Sequence, residues 1–164
     1  MLTIQNINVA IRLSSILGII LSIYAYIVEI SKEHDEKYIA LCDISEHMSC
    51  SKVFTSVYGR GFGILHHIVG LESTLNQPNS LLGIIFYSFV ILLTFSNSVS
   101  ASKILIFLGI LSNIGSVYLA SILYFILYDF CVVCVSTYVV NATNLILSLF
   151  KLKTLAVEEK RKSN

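Results

Sequence analysis

Residues 104–150 read ILIFLGILSNIGSVYLASILYFILYDFCVVCVSTYVVNATNLILSLF, and this stretch decides the fold. A bilayer span needs about 20 predominantly apolar residues. The stretch holds two such segments, about 104–127 and 130–150, and its only charged residue, Asp129, lies between them. So short a link predicts two adjacent antiparallel helices. We interpret Asp129 as the N-cap of the second helix.

The rest of the chain has the same character. Of its 164 residues, 55% are hydrophobic and 13% are charged, and the mean hydropathy is +0.81, which is far from the composition of a soluble domain. Two further apolar segments, about 13–29 and 80–98, complete the set of spans. We therefore predict an all-α integral membrane protein in which residues 1–164 form a single domain, a bundle of four transmembrane helices. A net charge of +1 without a basic patch excludes nucleic acid as a partner.

The distribution of lysine and arginine predicts the orientation of the bundle. With four spans both termini lie on one side, which collects Arg12, Lys103, Lys151, Lys153, Lys160, Arg161 and Lys162. The other side carries Lys32, Lys37, Lys52 and Arg60, spread over a long loop. The positive-inside rule then places both termini in the cytosol and the loop, about 30–79, in the lumen or outside. All four cysteines lie on this oxidising side, where disulfides persist.

The cysteines form two pairs. Cys131 and Cys134 are one helical turn apart at the luminal start of a helix, where they can form a short-range disulfide and where the helix N-terminus favours a thiolate. Cys42 and Cys50 enclose seven residues, so they can bridge each other or exchange with the first pair. The alternatives are that the first pair are small buried hydrophobic residues and the second a structural loop disulfide.

A zinc site fits these residues poorly, and we predict no metal. One cysteine pair begins a membrane helix, and the adjacent His66 and His67 would point in different directions on a helix.

Two features of the loop predict local structure. The glycines of GRGFG, residues 59–63, allow the backbone to turn sharply around Arg60. Farther along, apolar residues at helical spacing predict a short surface helix that lies on the membrane or covers the bundle. These residues are Leu65, Ile68, Val69 and Leu71.

Several strings, in this order and at this spacing, resemble the vitamin K epoxide reductase family. They are ALCDISEHMSCSKVF, GRGFG, LNQPNS, IFY, GSVYLA and LYDFCVVC followed by Thr137 and Tyr138. The resemblance implies a four-helix bundle in the endoplasmic reticulum membrane that reduces vitamin K epoxide and vitamin K quinone with electrons from thiols. It implies no tightly bound cofactor, since vitamin K is the substrate.

The resemblance also implies roles for the cysteines. Cys131 and Cys134 match the active-site pair, and Cys42 and Cys50 match the loop pair that relays electrons to it. In the family, a separate luminal oxidoreductase of thioredoxin-like fold reduces the loop pair. Cys42 then faces that partner, Cys50 relays to Cys131, and Cys134 attacks the substrate.

Asn79 and Tyr138 match the residues that hydrogen-bond the quinone oxygens, and the resemblance makes coumarin-type anticoagulants expected inhibitors. The chain departs from vertebrate relatives at two positions in the loop. Tyr58 stands where a Trp is familiar, and Pro78 stands where a Ser is familiar beside Asn79.

Three hypotheses of function follow. The first is a vitamin K epoxide and quinone reductase. The second uses the same residues mainly to generate protein disulfides, passing the electrons to a quinone. The third is a non-enzymatic, claudin-like tetraspan whose Cys42 and Cys50 staple a loop, but this leaves the Cys131–Cys134 pair unexplained, and the chain lacks the Trp of the claudin loop.

Overall fold

The computed structural model describes residues 3–45, 48–65, 70, 73 and 76–163. In this part of the chain, β-structure is limited to two isolated bridges, Ser45–Met48 and Arg60–Pro78. The prediction of an all-α protein is therefore confirmed. The helices are α1 (Ile4–His34), α2 (Cys50–Phe54), α3 (Asn79–Leu93), α4 (Val99–Phe125) and α5 (Val132–Ser163).

Helices α1, α4 and α5 are each long and apolar enough to cross a membrane. Their outer faces carry large apolar side chains that are more than half exposed, such as Leu13, Val117 and Val139. In water such faces would be unstable, but they suit a lipid surrounding. The chain is thus a multi-pass membrane protein.

The long helices pack as neighbours around α1 and α5. Helix α1 packs against α3 on one side and α5 on the other, and α5 packs against α4. The predicted adjacency of the two helices on either side of Asp129 is confirmed. Helices α3 and α4 have little contact with each other, so the bundle is open between them.

Helix α3 has only 15 residues and packs along α1. At its start the Ser80 hydroxyl lies 3.4 Å from Glu29 Oε2, and just past its end Thr94 Oγ1 accepts a hydrogen bond from Arg12 Nε at 2.8 Å. Lys151 Nζ donates to the Ser96 carbonyl in the turn that follows, at 2.8 Å. Two cations therefore lie at the C-terminal end of α3, where the helix dipole favours positive charge.

The loop between α2 and α3 turns sharply at the glycine-rich string, as predicted. Two single-turn 3-10 helices, Val57–Gly59 and Gly61–Gly63, follow each other, and Gly61 and Gly63 have φ values of +52° and +68°. A Cβ at residue 63 would lie 2.3 Å from the Tyr58 ring, so only glycine fits. Apart from Leu65, the predicted surface helix lies outside the described residues, as does the His66–His67 pair.

Candidate active site

Cys42 and Cys50 form a disulfide that closes a small ring in the loop, with the two Cα atoms 5.7 Å apart. The two sulfurs differ in access. Cys42 is half-buried, whereas Cys50, the first residue of α2, is 0% exposed. A reagent from outside therefore reaches the disulfide from the Cys42 side.

The carboxylate of Asp43 holds this ring in shape. It accepts hydrogen bonds from the Ser51 N–H (3.0 Å) and hydroxyl (2.7 Å), the Ala40 N–H (2.9 Å) and the Ser49 hydroxyl (2.9 Å). Burial raises the pKa of Asp43, but these hydrogen bonds outweigh it and hold the pKa below its usual value. The loop is thus stabilised by an ionised carboxylate.

Replacing Asp43 with Asn is expected to loosen the loop at pH 7. Folding lowers the pKa of Asp43, so its contribution to the stability of the folded loop is fully present above the unfolded pKa of about 3.9. This contribution is lost as the pH falls through the lower pKa of the folded state. Amide hydrogen exchange at Ala40 and Ser51 should then be equally protected at pH 7 and pH 5 in the wild type, and weakly protected at both in Asp43→Asn. The matched control is Asp35→Asn, since Asp35 accepts from the Lys37 N–H outside the ring. Unchanged protection in Asp43→Asn would contradict this role.

Cys131 lies directly against the loop disulfide. Its Sγ is 3.6 Å from Cys50 Sγ, and both residues are 0% exposed. Cys131 and Cys134 are free thiols, and the Cys134 N–H donates to Cys131 Sγ at 3.3 Å. This hydrogen bond at the start of α5 stabilises a thiolate on Cys131. The structure therefore brings together the two cysteine pairs that the sequence singled out.

The N-cap interpretation of Asp129 is wrong. Cys131 directly precedes Val132, the first residue of α5, and its Sγ accepts from the Cys134 N–H, whereas the carboxylate of Asp129 turns to the loop. Its Oδ1 accepts from the Ser49 N–H at 3.0 Å, and its Oδ2 pairs with Lys52 Nζ at 3.1 Å. Asp129 thus holds Ser49, the residue before Cys50, against the turn that precedes Cys131. This contact between residues 80 positions apart replaces the predicted local cap.

Replacing Asp129 with Ala is expected to slow formation of the Cys50–Cys131 mixed disulfide about tenfold. A hydrogen bond to a charged group contributes about 1.5–3 kcal/mol, and about 1.4 kcal/mol corresponds to tenfold. The measurement is the rate of this crosslink in a Cys134→Ala background, followed by mass spectrometry. Lys52→Ala is the comparison and should have a smaller effect, because the Lys52 side chain is 56% exposed and the Ser49 hydrogen bond remains. Equal rates in all variants would exclude the fastening role.

A cavity of about 970 Å³ opens between α3 and α4, with α1, α5 and the loop as its other walls. Pockets for small molecules have volumes of about 300–1,000 Å³, so this one accommodates a ring system with an attached chain. Most of its lining is apolar, for example Leu21, Phe54, Phe86, Leu119 and Val133. Cys134 faces the same cavity, whereas Cys131 is buried behind it.

Asn79 and Tyr138 both line this cavity. The Asn79 amide is engaged with the loop, because Nδ2 donates to the Tyr58 carbonyl at 2.7 Å and Oδ1 accepts from the Phe62 N–H at 2.8 Å. An amide nitrogen carries two hydrogens, so one remains for a ligand. The Tyr138 hydroxyl has no hydrogen-bond partner in the described part of the chain. The structure thus brings both side chains to one cavity.

The profile of the vitamin K epoxide reductase family matches residues 9–149. The chain belongs to this family. It is 47% identical over 134 residues to vitamin K epoxide reductase complex subunit 1 of Mus musculus, and equally to that of Rattus norvegicus, covering 82% of this chain and 83% of each relative. The resemblance is confirmed, and the claudin-like hypothesis is set aside. As a family member, the chain is an oxidoreductase.

The sequence did not reveal an ion pair of this vitamin K epoxide reductase family member, one partner of which lines the cavity. Glu29, 2% exposed, pairs with Arg60 Nε at 3.0 Å, and Arg60 also contacts Glu33. The pair ties the loop to α1. The available signal was a carboxylate at the edge of an apolar segment, where ionisable residues are costly and call for a partner.

The sequence also did not reveal a series of buried hydrogen bonds between residues that line the cavity. The Tyr87 hydroxyl donates to Asn141 Oδ1 at 2.8 Å, and Asn141 Nδ2 donates to the Ser116 hydroxyl at 2.9 Å. These hydrogen bonds link α3, α5 and α4. The signal was an amide inside an apolar helix, which requires partners on neighbouring helices.

Proposed function

We propose that this chain reduces vitamin K epoxide and vitamin K quinone, with electrons relayed from a luminal thioredoxin-like partner through Cys42 and Cys50 to Cys131 and Cys134. The observation that carries the proposal is the 3.6 Å contact between Cys50 Sγ and Cys131 Sγ at the edge of the cavity. Mouse and rat vitamin K epoxide reductase complex subunit 1, at 47% identity, support the choice of substrate.

Differences in access support the direction of the relay. Cys42 is the accessible half of the loop disulfide, so a partner thiolate attacks there and Cys50 leaves. Cys50 then attacks Cys131 of the oxidised active-site pair, releasing Cys134. The second thiolate of the partner then breaks the mixed disulfide, which oxidises the partner and frees Cys42. When Cys42 attacks Cys50 in the Cys50–Cys131 disulfide, the loop disulfide re-forms and Cys131 leaves as a free thiol. This final state, a loop disulfide beside two thiols, is the one in the structure.

The chemistry of a dithiol balances both reductions. Closing Cys131 and Cys134 to a disulfide releases two electrons and two protons. With the epoxide, these convert the substrate to the quinone and one water. With the quinone, they produce the hydroquinone. Cys134 attacks the substrate because it faces the cavity, and Cys131 then closes the disulfide.

Asn79 and Tyr138 hydrogen-bond the quinone oxygens in this proposal. Their remaining N–H and O–H groups face an apolar cavity, where a donor placed before the reaction stabilises developing negative charge strongly. The apolar wall takes the isoprenoid chain. Coumarin-type anticoagulants, which combine a bicyclic ring with acidic oxygens, are expected to compete for the same cavity. Tyr58 lines it, so the change from Trp alters a wall of the binding site.

The chain crosses the endoplasmic reticulum membrane four times in this proposal, with both termini cytosolic and residues of about 30–79 luminal. Helix α3 is short, but it begins beside Glu29 and ends beside Arg12 of α1. Glu29 and Arg12 are 17 positions apart, which corresponds to roughly 26 Å of helix and is close to the thickness of the hydrocarbon core. The cations Arg12 and Lys151 lie at the end away from the cysteines, as the positive-inside rule requires of the cytosolic side.

The test is turnover of vitamin K epoxide by membranes from cells that express this chain, with a small membrane-permeant dithiol as reductant. Membranes with Cys134→Ala at equal expression are the control. We expect quinone and hydroquinone to form with the wild type alone. Absent turnover by folded protein, together with quinone-dependent oxidation of reduced luminal proteins, would favour the disulfide-generating oxidoreductase instead.

A further inference from the structure

The hydroxyl of Tyr24 has no part in the relay as described so far, yet it touches a relay sulfur. Tyr24 is half-buried near the luminal end of α1, and its Oη lies 3.6 Å from Cys42 Sγ. Among the described residues it is the only side-chain donor placed on that sulfur. Tyr24 and Cys42 pack together on the apolar cluster that contains Cys50 and Cys131.

The surroundings of Cys42 otherwise disfavour a thiolate. Tyr38 and Asp43 of the loop act electrostatically on the Tyr24 hydroxyl, and Cys131 lies against Cys50. The cation Lys32 of α1 is engaged with the Glu36 and Tyr38 carbonyls. Asp43 is negative and adjacent to Cys42 in the chain, and Lys52 is paired with Asp129. The Tyr24 hydroxyl is therefore the group that can stabilise negative charge on Cys42 Sγ.

We propose that Tyr24 is a catalytic residue of electron transfer into the loop, donating a hydrogen bond to Cys42 Sγ whenever this sulfur attacks or leaves. The inference rests on the relay of the proposed function. It adds a residue that acts on the sulfur farthest from the substrate.

Cys42 Sγ carries negative charge in two steps of the relay, first as the leaving group and then as the attacking thiolate. In the first, the second thiolate of the partner attacks the partner's own sulfur in its mixed disulfide with Cys42. The bond between the partner and Cys42 breaks, and its electron pair leaves on Cys42. In the second, Cys42 attacks Cys50 in the Cys50–Cys131 disulfide. A bond forms between Cys42 and Cys50, and the electron pair of the broken bond passes to Cys131, which takes up a proton. The same hydroxyl serves both steps.

Removal of the hydroxyl by Tyr24→Phe should slow the reaction of Cys42 by a predictable factor. One hydrogen bond to a thiolate lowers the pKa of the thiol by about one unit, so its loss raises the pKa of Cys42 by the same amount. At a pH below that pKa, the fraction of Cys42 present as thiolate then falls about tenfold. The remaining thiolate becomes more nucleophilic with a Brønsted coefficient of about 0.4–0.5, which recovers about threefold. We therefore expect Cys42 to react about threefold more slowly at pH 7.

The experiment measures the pH profile of Cys42 alkylation by iodoacetamide in the full chain. In a Cys50→Ala background Cys42 has lost its disulfide partner, and mass spectrometry of its peptide separates it from Cys131 and Cys134. Tyr24→Phe should move the midpoint up by about one pH unit. The matched control is Tyr26→Phe, which removes the same hydroxyl from a different face of α1 and should leave the midpoint unchanged. A Cys50→Ser background repeats the comparison.

Turnover supplies the second readout. Tyr24→Phe with all four cysteines should slow partner-driven reduction about threefold and leave dithiol-driven reduction unchanged, which also shows that the variant is folded. An unmoved alkylation midpoint in Tyr24→Phe, or an equal shift in Tyr26→Phe, overturns the inference. If the wild type lacks vitamin K turnover, the proposed function fails, but the alkylation profiles still decide the role of Tyr24.

Discussion

Replacing Cys134 with Ala is expected to abolish turnover with every reductant, whereas Cys42→Ala and Cys50→Ala should abolish only the partner-driven reaction. Cys134 faces the cavity, so no other sulfur can take over its attack on the substrate. The loop cysteines only carry electrons inward in our proposal, and a small dithiol can reduce the Cys131–Cys134 disulfide directly. The measurement compares turnover by each variant with a thioredoxin-like partner and with the dithiol.

The Cys134→Ala variant provides an independent check on the same relay. Without Cys134, the Cys131 thiolate attacks Cys50 in the loop disulfide and Cys42 leaves as a thiolate. No Cys134 thiolate is present to break the new bond, so a Cys50–Cys131 disulfide should accumulate. The two sulfurs already lie 3.6 Å apart, and little movement is needed. If folded Cys42→Ala and Cys50→Ala variants lose dithiol-driven turnover as completely as Cys134→Ala, the relay is wrong and the loop disulfide is structural.

Replacing Tyr138 with Phe is expected to lower kcat about a hundredfold without unfolding the protein. The change removes one donor from a site where negative charge develops, and such a loss costs about 3 kcal/mol in the transition state. The matched control is Tyr124→Phe, because Tyr124 is a tyrosine of α4 that is 73% exposed. Near wild-type turnover of Tyr138→Phe would identify Tyr138 as an aromatic residue of the membrane interface.

Asn79→Ala should have a broader effect than Tyr138→Phe. The Asn79 side chain holds the Tyr58 carbonyl and the Phe62 N–H, so its removal both deletes a donor to the quinone and releases the loop above the cavity. We therefore expect a raised KM together with a lowered kcat, and weaker protection of the Phe62 amide in hydrogen exchange. A change in kcat alone, with the loop unchanged, would assign Asn79 to the substrate only.

Several properties followed directly from local sequence. Long apolar stretches predicted membrane helices, because a helix in lipid satisfies its own backbone hydrogen bonds and requires only apolar side chains. The tight link at Asp129 predicted that the helices around it pack together, and GRGFG predicted the sharp turn. The order and spacing of the cysteine-containing strings identified the family, which the comparisons confirmed.

Local sequence failed where a side chain had two possible partners. Asp129 looked like a helix cap, since it precedes an apolar helix, but the fold brings the Ser49 N–H and Lys52 to it from 80 and 77 positions away. Asn79 was predicted to bind substrate, and the fold also makes it a clamp for the loop. Neither competing partner is visible in the residues next to it.

The sequence by itself thus determined that this chain is an α-helical membrane oxidoreductase of the vitamin K epoxide reductase family, with two cysteine pairs. The family resemblance implied that Cys50 relays to Cys131, but only the tertiary structure shows the two sulfurs in contact. It also shows that Cys134 faces the cavity while Cys131 is buried. It also placed the Tyr24 hydroxyl on Cys42. The physical reason is range: apolar periodicity and turn chemistry act over a few residues, whereas thiol exchange requires sulfurs 81 positions apart to meet within 3.6 Å.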